Sequence, residues 1–245
     1  MAAAERKTGI ARNPELKVRA LSAVAMIALA LAAVVAGGWV WIGFVVLVAG
    51  GVFWEFTRLV SGFARGATGL VWMLGGAIYV GVAVLMLIVL RQDGWLIPLI
   101  PVLGVAATDI GAYFAGRAIG GPKIAPAISP SKTWAGLFGG MAAAGIVLAA
   151  AAGWITFAFG SAFGGAPEPD EMLRMAAAGF GFGALLALVA QAGDFFESWM
   201  KRRAGVKDSS SLIPGHGGLF DRVDGLIAVL FLLGVVHLVT QGGLG

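Results

Sequence analysis

The chain has 245 residues, of which 59% are hydrophobic and only 12% charged, with a formal net charge of +4 and a mean hydropathy of +0.92. A soluble domain is about half apolar and about a quarter charged, so this composition excludes a water-soluble globular enzyme and a disordered chain. The absence of cysteine excludes disulfides and thiolate chemistry, and two histidines disfavour a multi-histidine metal site. We therefore predict an all-α, polytopic membrane protein.

Seven apolar runs approach the length of about 20 residues that a helix needs to cross a bilayer. Their hydrophobicity is continuous rather than alternating, which disfavours a β-barrel. The predicted spans are 21–37, 39–55, 70–90, 95–114, 134–158, 175–194 and 225–241. The first two meet at Gly37-Gly38, which predicts a tight helical hairpin. Two glycine pairs have the four-residue spacing of closely packed helices, namely Gly136 with Gly140 and Gly179 with Gly183.

Lysine and arginine predict the orientation, because cytoplasmic loops are enriched in them. With the N-terminus in the cytoplasm, 15 of the 17 basic residues lie in four cytoplasmic segments, 1–20, 56–69, 115–133 and 195–224. We expect a bacterial cytoplasmic (inner) membrane, with these four segments on the cytoplasmic side.

The first cluster of polar residues begins at Asp109, inside the fourth predicted span, and continues to Ser129 and Lys132 in the following loop. A carboxylate within a membrane costs about 2.5–3.5 kcal/mol on insertion scales, so such a residue is functional or paired. Asp109 therefore either binds a ligand or forms a salt bridge with Arg117 or Lys132.

The second cluster begins with Asp194, Glu197 and Ser198, whose spacing places them on one face of a helix. Crowded carboxylates repel each other unless a cation lies between them, and oxygen ligands suit Mg²⁺. The alternative is a solvated helix end, neutralised by the basic run 201–203 without any metal.

This cluster continues through a loop rich in serine and glycine to the start of the last span. Backbone N–H groups at glycines, hydroxyls and basic side chains bind anions, and a helix N-terminus attracts phosphate. The alternative role of Asp221 and Asp224 is helix capping. Together the two clusters predict phosphoryl or nucleotidyl transfer to a lipid at the cytoplasmic face of a membrane.

Residues 198–224 resemble the signature of the phosphatidate cytidylyltransferases (CDP-diacylglycerol synthases). The pattern S-x-x-K-R-x₄-K-D, followed by P-x-H-G-G-x-x-D-R-x-D, is matched throughout. Further matches lie at 108–113, 129–134 and 193–198, so that the resemblance covers roughly 105–225. Three positions depart from the usual family pattern, namely Ser131, Ala135 and Gly225.

The resemblance implies that CTP and phosphatidic acid react to give CDP-diacylglycerol and pyrophosphate in phospholipid biosynthesis. It also implies seven or more spans, Mg²⁺ with a second ion (K⁺ or Mg²⁺), and a homodimer among membrane lipids, with no nucleic-acid partner. The implied metal ligands are Asp194 and Asp221. Further implied catalytic residues are Lys207, Asp208, Arg222 and Asp224. The expected substrate-binding residues are Asp109, Ser129, Lys132, Ser198, Lys201, Arg202, His216, Gly217 and Gly218.

The expected organisation is a basic cytoplasmic segment (1–20), N-terminal spans (21–92) and a catalytic membrane region (93–245) with cytoplasmic loops 115–133 and 195–224. Two alternatives stay open. One is a CTP-dependent transferase that acts on a different lipid acceptor. The other is a membrane transporter in which Asp109 and Asp194 line a pathway, although polar residues would then be spread through the depth of the bilayer.

Overall fold

The structure is a computed structural model and describes residues 14–163, 165 and 167–242. Within these residues the chain forms seven helices and no strand. The helices are α1 (Pro14–Ala36), α2 (Gly38–Phe63), α3 (Gly66–Gln92), α4 (Leu99–Ala118), α5 (Trp134–Phe163), α6 (Pro169–Ala204) and α7 (Phe220–Gly242). All seven are long and apolar enough to cross a membrane. The predicted all-α class and the number of spans are therefore confirmed.

Several helices continue past the apolar runs that predicted them. α6 has 36 residues, which makes it about 54 Å long, whereas the hydrocarbon core of a bilayer is about 30 Å thick. Its last ten residues, 195–204, continue the helix past the sixth predicted span into the segment predicted to face the cytoplasm. Glu, Lys and Arg favour a helix but lower its mean hydropathy, so hydropathy locates the membrane-embedded part of α6 and not its end.

The helix connections are short where the sequence places glycine. α1 and α2 meet at Gly37, whose φ of 66° lies in the left-handed region, and buried side chains on the two sides of this turn pack together. α6 ends at Gly205, also left-handed, where the N–H groups of Gly205 and Val206 donate to the carbonyl groups of Arg202 and Lys201. This is a common glycine C-cap, and it turns the chain into the loop before α7.

Helices α4, α5 and α6 pack with their backbones close together at the predicted glycine pairs. A Cβ atom at Gly140 of α5 would lie 2.9 Å from the carbonyl oxygen of Thr108 in α4. One at Gly179 of α6 would lie 2.6 Å from the carbonyl oxygen of Leu148 in α5. The predicted close packing is confirmed, because larger residues at these positions would push the helices apart.

A second core lies between α2, α3, α6 and α7, around the buried side chains of Phe56, Val60, Met200 and Phe220. One end of the bundle collects most of the polar motifs, and we call it the polar end. It consists of the last turns of α2, α4 and α6, the first turns of α5 and α7, and the loops 119–133 and 205–219.

Candidate active site

The loop before α7 is held by a buried carboxylate that the sequence analysis did not single out, Glu55 of α2. Its side chain is 0% exposed. Its Oε1 accepts hydrogen bonds from the Leu219 N–H at 2.9 Å and from the Ser210 hydroxyl, and its Oε2 accepts from the Phe220 N–H at 2.5 Å and from the Ser209 hydroxyl at 3.1 Å. Glu55 thus ties the loop to α2 and satisfies N–H groups at the start of α7.

A sequence signal for Glu55 was available. It is an acidic residue at the end of an otherwise apolar predicted span, 39–55, and the cost of a carboxylate in a membrane applies to it as it does to Asp109. Its partners could not be found from the sequence, because they lie more than 150 residues away in the chain.

Asp221, at the start of α7, is bound by the preceding loop. Its Oδ2 accepts hydrogen bonds from the N–H of Ser209 at 3.0 Å and from the N–H of Gly218 at 2.8 Å. It also shares the single hydroxyl proton of Ser209 with Glu55, at 2.9 Å from the Ser209 oxygen. A Cβ atom at Gly218 would lie 2.9 Å from both Asp221 Oδ2 and Glu55 Oε1, and it would overlap the Ser209 hydroxyl. Glycine is therefore required here, and Glu55, rather than Asp221, caps α7.

Lys201 joins two acidic residues at the polar end. Its ammonium group contacts Asp221 Oδ1 at 2.7 Å and forms an ion pair with the fully buried Glu197, one turn earlier on α6. Lys201 therefore supplies a counter-charge to Glu197, as the alternative expected, but Glu197 is buried and not part of a solvated helix end. Arg202 instead reaches the loop 119–133, where its Nε donates to the Ile128 carbonyl at 3.3 Å.

The two polar clusters of the sequence meet at Asp194. Lys132, from the loop before α5, forms an ion pair with Asp194 Oδ2, and the Ser198 hydroxyl donates to Asp194 Oδ1 at 3.3 Å. Both ion-paired side chains are partly exposed, at 22% for Lys132 and 27% for Asp194. Ser129, in the same loop as Lys132, is buried. Asp194 therefore lies where a ligand can reach it.

Asp109 forms a salt bridge with neither of its two predicted partners. Lys132 pairs with Asp194, and Arg117 donates to the hydroxyl of Tyr113 at 2.9 Å. Asp109 instead lines a cavity of about 510 Å³, together with Arg117, Lys132 and Gln191. This volume is within the range of about 300–1,000 Å³ that is typical of small-molecule sites.

Three carboxylates, Asp109, Asp194 and Asp224, lie near enough to one another at the polar end to interact electrostatically. Each of the two predicted metal ligands contacts a cation, because Asp194 and Asp221 each bind a lysine ammonium through one oxygen.

In the described part of the chain, no three His, Cys, Asp or Glu side chains form a group that could hold a metal ion. Mg²⁺ commonly takes one or two carboxylates and completes its shell with water and substrate phosphates. Asp194 and Asp221 offer carboxylates of this type, and their role as metal ligands stays a prediction.

Other predicted site residues lie farther from these ion pairs. His216 faces α1, where its Nδ1 is hydrogen-bonded to the Ser22 hydroxyl at 2.9 Å. Lys207 and Asp208 are exposed on the loop, although Asp208 packs near Gly217, whose Cβ would lie 3.6 Å from the Asp208 Cβ. The predicted catalytic roles of Lys207 and Asp208 and the predicted substrate-binding role of His216 stay predictions.

The three departures from the family pattern have different surroundings. Ser131 lines the cavity beside Lys132. Ala135 is half-buried in the first turn of α5. Gly225 packs against α6, where a Cβ atom would lie 3.1 Å from the Ala190 carbonyl oxygen. Glycine at this position therefore allows α6 and α7 to approach closely beside Asp224.

The chain is similar to known proteins over most of its length. A family model described as the cytidylyltransferase family matches residues 63–240. A phosphatidate cytidylyltransferase from Brucella suis biovar 1 (strain 1330) is 40% identical over 213 residues, which cover 81% of this chain and 73% of that protein. The phosphatidate cytidylyltransferase from Rickettsia bellii (strain RML369-C) is 34% identical over 175 residues, 69% of this chain and 71% of the relative.

Proposed function

The chain belongs to the cytidylyltransferase family, and we propose on this basis that it transfers the cytidylyl group of CTP to phosphatidate, which gives CDP-diacylglycerol and pyrophosphate. The observation that carries the proposal is the ion pair of Lys132 with Asp194, because it joins the two polar clusters at one end of a membrane bundle. A lipid phosphate at the membrane surface and a soluble nucleotide can both reach that end.

The reaction needs no strong general base. A phosphate monoester loses its second proton near pH 6, at about the value of a phosphorylated side chain. An oxygen of the phosphatidate phosphate attacks the α-phosphorus of CTP and forms a new P–O bond. The bond from the α-phosphorus to the oxygen that bridges the α- and β-phosphates breaks, and pyrophosphate leaves with the electron pair.

The main task of the protein is then to bring two polyanions together. Lys132 uses one side of its ammonium group on Asp194, and its three N–H donors leave room for a phosphate oxygen. Arg222, exposed at the start of α7, adds a second positive charge near Asp109. The Glu55 and Asp221 contacts fix the glycine turn 217–218 at the start of α7.

We also propose that Asp194 and Asp221 bind Mg²⁺, with K⁺ or a second Mg²⁺ as a further ion. The supporting observation is that both carboxylates already bind ammonium groups and line the same polar end. When bound, the metal would supply positive charge to the CTP phosphates and the leaving pyrophosphate.

The membrane position and the assembly are further parts of the proposal. The distribution of lysine and arginine supports a polar end that faces the cytoplasm of a bacterial inner membrane. The family resemblance supports a homodimer. Native mass spectrometry from detergent is expected to give twice the 25.0 kDa mass of the chain, and a single-chain mass at all concentrations would refute the dimer.

Release of pyrophosphate by the purified protein in mixed micelles tests the proposed function. CTP, Mg²⁺ and phosphatidate are omitted in turn, and a polyprenyl phosphate replaces phosphatidate in a further reaction. We expect release with all three components and its loss in Asp221→Asn, whereas Asp170→Asn, at the exposed start of α6, keeps the normal rate. Release that does not require phosphatidate, or that requires the polyprenyl phosphate, overturns the proposal.

A further inference from the structure

The cavity beside Asp109 contains a buried polar group that the reaction described above does not use. Gln191 of α6 is only 4% exposed and lines this cavity. Within the described residues, its carboxamide makes no hydrogen bond to another protein group. Its polar atoms are accessible from the cavity, so a ligand that enters the cavity can form hydrogen bonds with them.

The chemistry of the carboxamide narrows the class of ligand. It offers two N–H donors and one acceptor oxygen side by side. A phosphate group presents acceptors alone and would leave the acceptor oxygen of Gln191 unpaired. The pairing edge of cytosine presents an amino donor next to a ring-nitrogen acceptor, which a carboxamide can bind with two hydrogen bonds, as glutamine does with adenine in DNA recognition.

The other walls of the cavity suit the rest of a nucleotide. The aromatic ring of Tyr113 lines it and is 58% exposed, so that a base can stack on it. Arg117 and Lys132 line the same cavity and provide positive charge for phosphates. Gln191 precedes Asp194 by three residues on α6, an offset of about 4.5 Å along the helix axis, so a base at Gln191 has its phosphates near Lys132 and Asp194.

We infer that this cavity binds the cytidine part of CTP and that Gln191 recognises the pairing edge of the base. The inference rests on the proposed function and extends it, because it separates the nucleotide from the lipid.

Gln191→Leu tests the inference, because leucine is similar in size and has no polar atoms. Binding of CTP to the purified protein without lipid is measured by isothermal titration calorimetry. KM values for CTP and phosphatidate are measured separately. We expect a Kd for CTP at least tenfold higher and an unchanged KM for phosphatidate. Gln241→Leu, exposed near the end of α7, is the matched control and is expected to behave like the unmodified chain.

The other outcomes overturn the inference in distinct ways. A higher KM for phosphatidate with unchanged binding of CTP assigns the cavity to the lipid headgroup. Unchanged values for both substrates, or equal losses for both, leave Gln191 with a structural role only. If the unmodified protein binds CTP but does not turn it over with phosphatidate, the proposed function fails, while loss of CTP binding in Gln191→Leu still supports the nucleotide cavity.

Discussion

Replacement of Glu55 by glutamine is expected to release the loop 205–219 from α2. The carboxylate accepts four hydrogen bonds, two at each oxygen. A carboxamide keeps one acceptor oxygen and places an N–H group opposite one backbone N–H and one serine hydroxyl. The hydroxyl can reverse and accept, so about one hydrogen bond is lost. Hydrogen bonds to charged groups contribute about 1.5–3 kcal/mol each, so the loss is about 1.5–3 kcal/mol. Even the lower figure changes the ratio of ordered to displaced loop about tenfold.

Hydrogen–deuterium exchange and the rate of pyrophosphate release check this prediction together. In Glu55→Gln we expect faster exchange at the Leu219 and Phe220 amides and a rate at least tenfold lower, with exchange in α4 and α5 unchanged. Glu171→Gln, in the exposed first turn of α6, is the matched control. Normal exchange at the two amides together with a normal rate would show that Glu55 does not hold the loop.

Three further predictions concern other contacts of the polar end. Lys132→Met is expected to lower the rate of pyrophosphate release at least tenfold. Asp194→Asn is expected to lower the rate less in the Lys132→Met background than in the unmodified chain, because the two residues are coupled. Additive losses in the double variant contradict the ion pair. Lys201→Met leaves a buried carboxylate unpaired and is expected to destabilise the protein by about 3–5 kcal/mol, measured as a lower Tm. An unchanged Tm contradicts the position of Lys201 between Glu197 and Asp221. Gly218→Ala is expected to abolish activity, because its Cβ atom overlaps the Ser209 hydroxyl. Gly43→Ala has free space around it and is expected to keep activity. A fully active Gly218→Ala contradicts the described turn.

The membrane helices were predictable because the hydrophobic effect acts on local composition. Runs of about 20 apolar residues located all seven helices, and glycine spacing located the close approach of α4, α5 and α6. Hydropathy ended the sixth span at residue 194, whereas α6 continues to Ala204. The charged residues at this end of the helix lower its mean hydropathy outside the hydrocarbon core. The 56–69 segment is likewise almost entirely helical, and only Ala64 and Arg65 separate α2 from α3.

The candidate site was predictable as a set of residues but not as a set of contacts. The motifs located Asp194 and Asp221, because phosphate and metal chemistry needs particular side chains at fixed spacing. The pairing of Lys132 with Asp194, rather than with Asp109, depends on how α4, α5 and α6 pack and has no local signal. Glu55 was missed for the same reason, as its four donors come from the other end of the chain.

The most direct test of the account is the fate of labelled CTP in a reaction with phosphatidate and Mg²⁺. One sample carries a radioactive label at the α-phosphate and another at the γ-phosphate, and lipids are separated from soluble products. The account predicts that the α-label enters the lipid as CDP-diacylglycerol, that the γ-label leaves as pyrophosphate, and that Asp221→Asn abolishes both. Transfer of the γ-label to the lipid, or release of both labels without a labelled lipid, would contradict it.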